Sequence, residues 1–215
     1  MRPMSSPSRS TADRILDVAE RLVQTRGFNG FSYADIATEL GVTKASLHYH
    51  FASKEALGLA LIARYHEVFA RLLREIDEKT TRVPAKLAKY AELYRGVLSD
   101  DRMCLCGMMA AELSTLPKPM QEEIRRFFTA NEDWLVSVLD QGKRSGELRL
   151  SGPPRAVARL LLSALQGAML VARSYGSVAH FNVSAKQLLA DLAPVLESPP
   201  KKRRAGPSRP KTLER

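Results

Sequence analysis

Residues 32–51 read SYADIATELGVTKASLHYHF, and their spacing decides the fold. Ser32 followed by Asp35 three places on has the pattern of a capping box, in which side-chain oxygens satisfy backbone N–H groups that the first helical turn leaves over. Ile36, Ala37 and Leu40 then recur on one helical face, and Gly41 supplies the left-handed exit that ends a helix of two turns. Two residues past that glycine, Thr43 offers another N-cap, and Leu47 with Phe51 makes an i, i+4 apolar pair. Two short helices joined by Leu40, Gly41, Val42 and Thr43 meet at a steep angle, with Val42 plugging the corner, which is helix-turn-helix geometry.

With Ile36, Leu40, Leu47 and Phe51 turned inward, the second helix presents Lys44, Ser46, His48 and Tyr49 to solvent. These side chains donate to and accept from base edges and phosphates. A major groove about 12 Å wide admits one such helix with its N-terminal residues nearest the bases, so Thr43, Lys44 and Ser46 sit there. Ser32 and Tyr33 at the start of the first short helix, and Lys54 after the second, are placed to grip the backbone. Tyr49 and His50 read either as contacts or as packing beside Phe51, and Ser32 and Thr43 cap their helices whether or not DNA is bound.

Working outward, Ile15, Val18, Ala19, Leu22 and Val23 keep a helical period after Ser10 and Thr11, and Gly27 stops it, giving a first helix over 11–26. Ser53 caps a longer helix in which Leu57, Ala60, Leu61, Tyr65, Val68 and Leu72 hold the period to about Lys79. Further helices are signalled by Pro84, by 104–113, by 120–144 after Pro117, and by 155–175 after Pro153 and Pro154. The last begins near the Ser184 to Gln187 capping box and bends or ends at Pro194. About nine helices result, with no internal repeat, and the chain is predicted to be all-α.

The composition sets outer bounds. The 215 residues carry 33 Lys+Arg against 23 Asp+Glu and are 45% hydrophobic, which excludes a disordered or fibrous chain. The strongest apolar run, between Arg159 and Arg173, is shorter than the roughly 20 residues a bilayer requires, so no membrane span is expected. Residues 1–10 are polar and lack the apolar block of a secretory signal, and two cysteines do not make a disulfide framework; both point to the cytoplasm. Residues 199–215 carry seven basic side chains against Glu214 alone, leaving the body near neutral. Bulk charge therefore does not establish nucleic-acid binding, and the tail is an accessory that can add salt-sensitive affinity for phosphates. None of the four histidines, His48, His50, His66 and His180, lies near either cysteine in sequence. There is no phosphate-cradling glycine loop, no paired Cys/His spacing and no HExxH, so neither an enzyme, a metal site nor a cofactor is expected.

The combination Gly27-Phe28-x-Gly30-Phe31-Ser32, then Ile36-Ala37-x-x-Leu40-Gly41-Val42, then Ser46-Leu47-His48-Tyr49-His50-Phe51-x-Ser53-Lys54-Glu55-x-Leu57 resembles the DNA-binding region of the TetR family of bacterial transcription regulators, over residues 11 to about 60. One departure is that His48 stands where the family usually has a phosphate-contacting tyrosine. From their composition the N-terminus at 1–10 and the basic tail at 198–215 are expected to be disordered; the resemblance implies a helix-turn-helix domain at 11–56 and a helical effector-binding and dimerisation domain at 57–197. It implies a homodimer on a pseudo-palindromic operator of double-stranded DNA, its reading helices about 34–36 Å apart, and release by an unknown small-molecule effector. Repression is the family's commoner habit.

The sequence offers its own reason for a dimer: residues 156–172 are apolar nearly all round, and Ala164, Ala168 and Ala172 form a stripe that permits close helix approach. Met103, Met108 and Met109 with two cysteines and Gly107 read either as core filler or as the adaptable wall of an effector pocket, which Phe127, Phe128, Trp134 and Met169 would complete. The run from Met103 to Leu113 resembles a TetR subgroup that contains an acrylate-responsive regulator and the repressor of N-ethylmaleimide reductase. There a cysteine at the position of Cys104 senses electrophiles; a small buried hydrophobe is the other reading.

Overall fold

The Ser10 hydroxyl accepts the Asp13 N–H at 3.1 Å and starts α1 (Thr11–Arg26), the first of nine α-helices in residues 10–193, the part of the chain that the computed structural model describes. The expected N-terminal segment, Pro194 and the basic tail lie outside the described residues. After α1 come α2 (Tyr33–Leu40), α3 (Lys44–His50), α4 (Lys54–Lys79), α5 (Val83–Ser99), α6 (Leu105–Ala111), α7 (Lys118–Ser145), α8 (Pro154–Ser174) and α9 (Val178–Ala190). A single 3-10 turn, Leu113–Thr115, follows α6, and there is no strand among the described residues. The all-α expectation is met.

The local signals hold. The Asp35 carboxylate accepts both the Ser32 N–H and the Ser32 hydroxyl at 2.7 Å. Gly41 sits at φ +66°, the left-handed region open to glycine at little cost, and ends α2. Thr43 and Ser53 then accept the amides of Ser46 and Ala56 and open α3 and α4. The start of α9 departs from expectation. It begins behind Ser177, not near Ser184, because Phe181 anchors its first turn in the core and the Ser184 hydroxyl bonds back to the His180 carbonyl inside the helix.

Two parts share one core. A head of α1, α2 and α3 is joined by α4 to a body in which α8 packs between α7 and α9, with α5 against α7 and α9. Where α4, α5 and α7 meet, Tyr65, Phe69, Tyr90, Tyr94 and Phe127 form a cluster of edge-to-face and tilted rings, with Phe69 and Phe127 5.4 Å apart. Over its full 21 residues α8 has an 18-residue window of mean hydropathy 1.4, long and apolar enough by length and composition to cross a membrane, contrary to the reading of 159–173 alone. Its Leu161, Leu162, Leu165 and Met169 are instead buried in the body. Each such burial is worth about 1.5–3 kcal/mol, which accounts for the composition of a core helix.

The junction between head and body is polar and specific. Glu112, at the end of α6, accepts the Phe28 N–H at 2.7 Å and the Asn29 N–H at 3.2 Å, directly after α1. Asn29 reaches Thr115 at 2.7 Å, and the Gln24 carbonyl accepts the Met103 N–H at 3.1 Å. Arg64 of α4 holds Asp17 and Glu20 of α1 at 2.8 and 2.6 Å. From the end of α8, Arg173 donates to the Thr25 carbonyl.

Candidate nucleic-acid interface

The buried Leu47 pins α3 to the head, and Tyr49, 86% exposed, marks its outer side. Lys44, Ala45 and His48 are exposed with it, whereas Ser46 and His50 are half-buried. Thr43 is exposed and its hydroxyl oxygen is occupied by the Ser46 amide. Between the starts of α2 and α4 and the side of α3 lies an open hollow of about 350 Å³. It brings together Ser32, Tyr33, Lys44, His48 and Lys54. Thr43, Ser46, Tyr49 and His50 stand outside that hollow, along α3 and its cap.

Two of the residues expected to grip the DNA backbone also have structural tasks. Tyr33 is buried, and its hydroxyl lies 2.9 Å from the Phe51 carbonyl and 2.7 Å from that of Ser53. Its single proton serves one of the two at a time, tying α2 to the turn between α3 and α4. Burial pushes its pKa up, so it is a neutral strut. Lys54 donates to the Phe31 carbonyl and rests over the rings of Phe28 and Phe31, 4.8 and 4.4 Å from their centroids. Burial lowers its pKa, against the pull of Glu112 and Asp35. Both residues shape the hollow from within.

His48 lies against the Tyr33 ring, 4.8 Å between centroids, with Nδ1 3.2 Å from the Ala52 carbonyl. When Nδ1 donates there, a neutral imidazole keeps Nε2 as an acceptor, a partner for a base donor and not for a phosphate. The Ser32 hydroxyl is exposed but already engaged with Asp35. That contact and the Ser32 amide hold the Asp35 carboxyl below its usual range. Lys44 makes no side-chain hydrogen bond or ion pair among the described residues and projects from the first turn of α3 to solvent.

The expected effector residues are scattered. Cys104 and Met169 are wholly buried, and both cysteines are free thiols. Burial raises the pKa of the Cys106 thiol well above its ordinary value, with Cys104 adding to it. Met108 and Phe128 are half-buried at the edge of the core, with the Arg173 guanidinium 3.5 Å from the Met108 sulfur. Trp134 stacks on Tyr90 and donates to Asp77 at 2.8 Å. Of the expected dimer stripe, Ala172 is only 1% exposed and so faces its own core, while Ala164 and Ala168 are half-buried. The exposed side of α8 is turned from it and carries Leu160 and Leu170, each 63% exposed, with Ser163 and Gly167; on α9, Val183 is 71% exposed. A helix apolar on every side does not declare which side serves the subunit. Glu112 and Arg173 were missed because their partners lie 84 and 148 residues away.

Residues 15–61 match the family model described as bacterial regulatory proteins, tetR family, and residues 82–188 match that of the tetracyclin repressor-like C-terminal domain. The HTH-type transcriptional repressor DhaR of Mycobacterium sp. (strain GP1) is 30% identical over 149 residues, 67% of this chain and 73% of its own length. The HTH-type transcriptional repressor NemR of Escherichia coli (strain K12) is 24% identical over 192 residues, covering 84% and 94%. A solved TetR-family regulator from Agrobacterium tumefaciens superposes with a TM-score of 0.83 at 34% identity, over 85% of this chain and 97% of that one.

Proposed function

Because the chain belongs to the TetR family, whose members are DNA-binding regulators and not enzymes, we propose that it represses transcription by binding a pseudo-palindromic operator as a homodimer, and that a small-molecule effector releases it. The observation that carries this reading is α3: held from below by Leu47, it leaves Lys44, His48 and Tyr49 exposed on its outward side. A second copy joined through the exposed side of α8 and through α9 sets two such faces one DNA turn apart, roughly 34–36 Å. The regulator works in the cytoplasm, where its DNA is.

The effector is a small apolar or electrophilic molecule received by the body. The sulfur-rich wall of α6 supports this, because Gln24, Thr25, Phe28 and Asn29 of the head are bonded to Met103, Arg173 and Glu112 around it. A change in α6 therefore reaches α1 through hydrogen bonds already in place, and a ligand that favours one arrangement shifts the population. For an electrophile the buried thiol of Cys104 must first become accessible, so release by an α,β-unsaturated carbonyl is slow and is abolished in Cys104→Ser.

Gel-shift titration of the full chain against fragments flanking its own gene tests the reading. A repressor prefers one fragment over random DNA by about 10³ or more at physiological salt. Equal affinity for all fragments with a steep salt slope would mean general nucleic-acid coating instead.

A further inference from the structure

A cavity of about 250 Å³ opens between α1, α4 and α5, away from the recognition surface; Tyr65, one of its lining residues, also neighbours Cys104 of the sulfur-rich wall on its far side. Phe69, Leu72, Leu93 and Val97 make its apolar side. Its polar end holds Glu20 and Gln24 of α1, with Asp100 and Arg102 from the turn after α5. Gln24 is the odd residue: it is 3% exposed on a helix whose other buried positions, Ile15, Val18, Ala19, Leu22 and Val23, are all apolar. Its backbone carbonyl is used by Met103, but its side-chain Oε1 is buried with no hydrogen-bond partner. An unmet buried acceptor destabilises the fold, a cost that a leucine at the same place would avoid.

The charges around it select the donor. Glu20 and Asp100 line the cavity with Arg102 as the one lining guanidinium, so carboxylates outnumber guanidinium groups by one in the lining, and Arg64 holds Glu20 from outside it. We infer that this cavity is a second ligand site, one that takes a small primary amine with an apolar tail. The ammonium donates to Gln24 Oε1 and lies beside Glu20 and Asp100, and its three N–H groups suit several acceptors at once. The tail lies along Phe69, Leu72, Leu93 and Val97, where water leaves an apolar wall. Because α1 carries the reading head and α4 and α5 belong to the body, an occupant fixes the spacing across the junction. That consequence for DNA rests on the function proposed above; binding itself does not.

Calorimetric titration of the full chain with phenylbutylamine, phenylbutanol and phenylbutyrate separates the possibilities without DNA. The amine binds one per chain, and tighter than either analogue. Gln24→Leu weakens it by about tenfold or more while raising the melting temperature of the free protein, so lost binding is not lost folding. Val97→Trp fills the cavity and blocks the amine with Gln24 intact. Preference for phenylbutyrate, which would signal the amide's N–H₂ end in the cavity, overturns the inference. So does amine affinity unchanged in both variants, or no heat at millimolar amine. Operator affinity measured with and without the amine then tests the coupling alone, and its failure would leave the site standing.

Discussion

Lys44, the first residue of α3, and Lys54, the first residue of α4, line the same hollow, but they are held differently: Lys54 is tied to an internal carbonyl and Lys44 is not. Lys54 is committed to the Phe31 carbonyl and two rings, so Lys54→Ala lowers thermal stability, on the order of 1 kcal/mol, by removing a charge-assisted bond. Lys44→Ala leaves the melt unchanged and weakens operator binding; fluorescence anisotropy across a salt series shows the slope of log K falling by about 1 if the lost contact was a phosphate. Tyr33→Phe removes the strut to Phe51 and Ser53 at a cost of about 1 kcal/mol in a denaturant melt. Asp35 carries the acid sensitivity. The Ser32 hydroxyl and amide depress its pKa, so the native head prefers the carboxylate, and that preference is fully present above the ordinary value of about 3.9. It is lost as pH falls through the depressed value. Protection factors for hydrogen exchange at the first amides of α2, taken against the intrinsic rate at each pH, therefore fall in acid, and Asp35→Asn flattens that dependence.

At the scale of elements, what could be read in advance is what local chemistry decides. Ser32 with Asp35, Gly41, and Thr43 with Ser46 act within three residues of one another, and α1, α2 and α3 appear where those signals put them. The start of α9 went astray because a Ser and a Gln three apart look like a cap whether or not a core residue such as Phe181 has already begun the helix. Tyr33 and Lys54 looked like surface groups because their partners are carbonyls, which every residue possesses and no side-chain pattern reveals. The recognition helix has seven residues and one fully buried anchor, so Leu47→Ala costs about 2–5 kcal/mol and frees α3 before the body melts. Amide exchange along 44–50 that is uncoupled from the exchange along α7 checks this.

For the whole molecule, the proposed pairing is what would turn one head into a reader of symmetric DNA. Leu160 and Leu170 on α8 and Val183 on α9 are exposed large apolar side chains, and in the proposed dimer a second copy covers them. Leu160→Glu buries a charge there and yields a monomer by light scattering, with a half-site affinity many times weaker than the parent's. Ala172→Ser leaves the oligomer unchanged, since that side of α8 belongs to the subunit's own core.

Glu112 and Arg173 also bear on how the chain could be rebuilt. Gly27, at φ +84°, brings the main chain so near that a β-carbon there would stand 2.5 Å from the Glu112 carboxylate. A chimaera that transplants residues 11–56 onto a foreign scaffold would therefore leave behind the acceptor for Phe28 and Asn29 and the donor for Thr25. Such a graft recovers its original binding only when the scaffold supplies a glutamate and an arginine at the matching places, which makes those two residues part of any portable module.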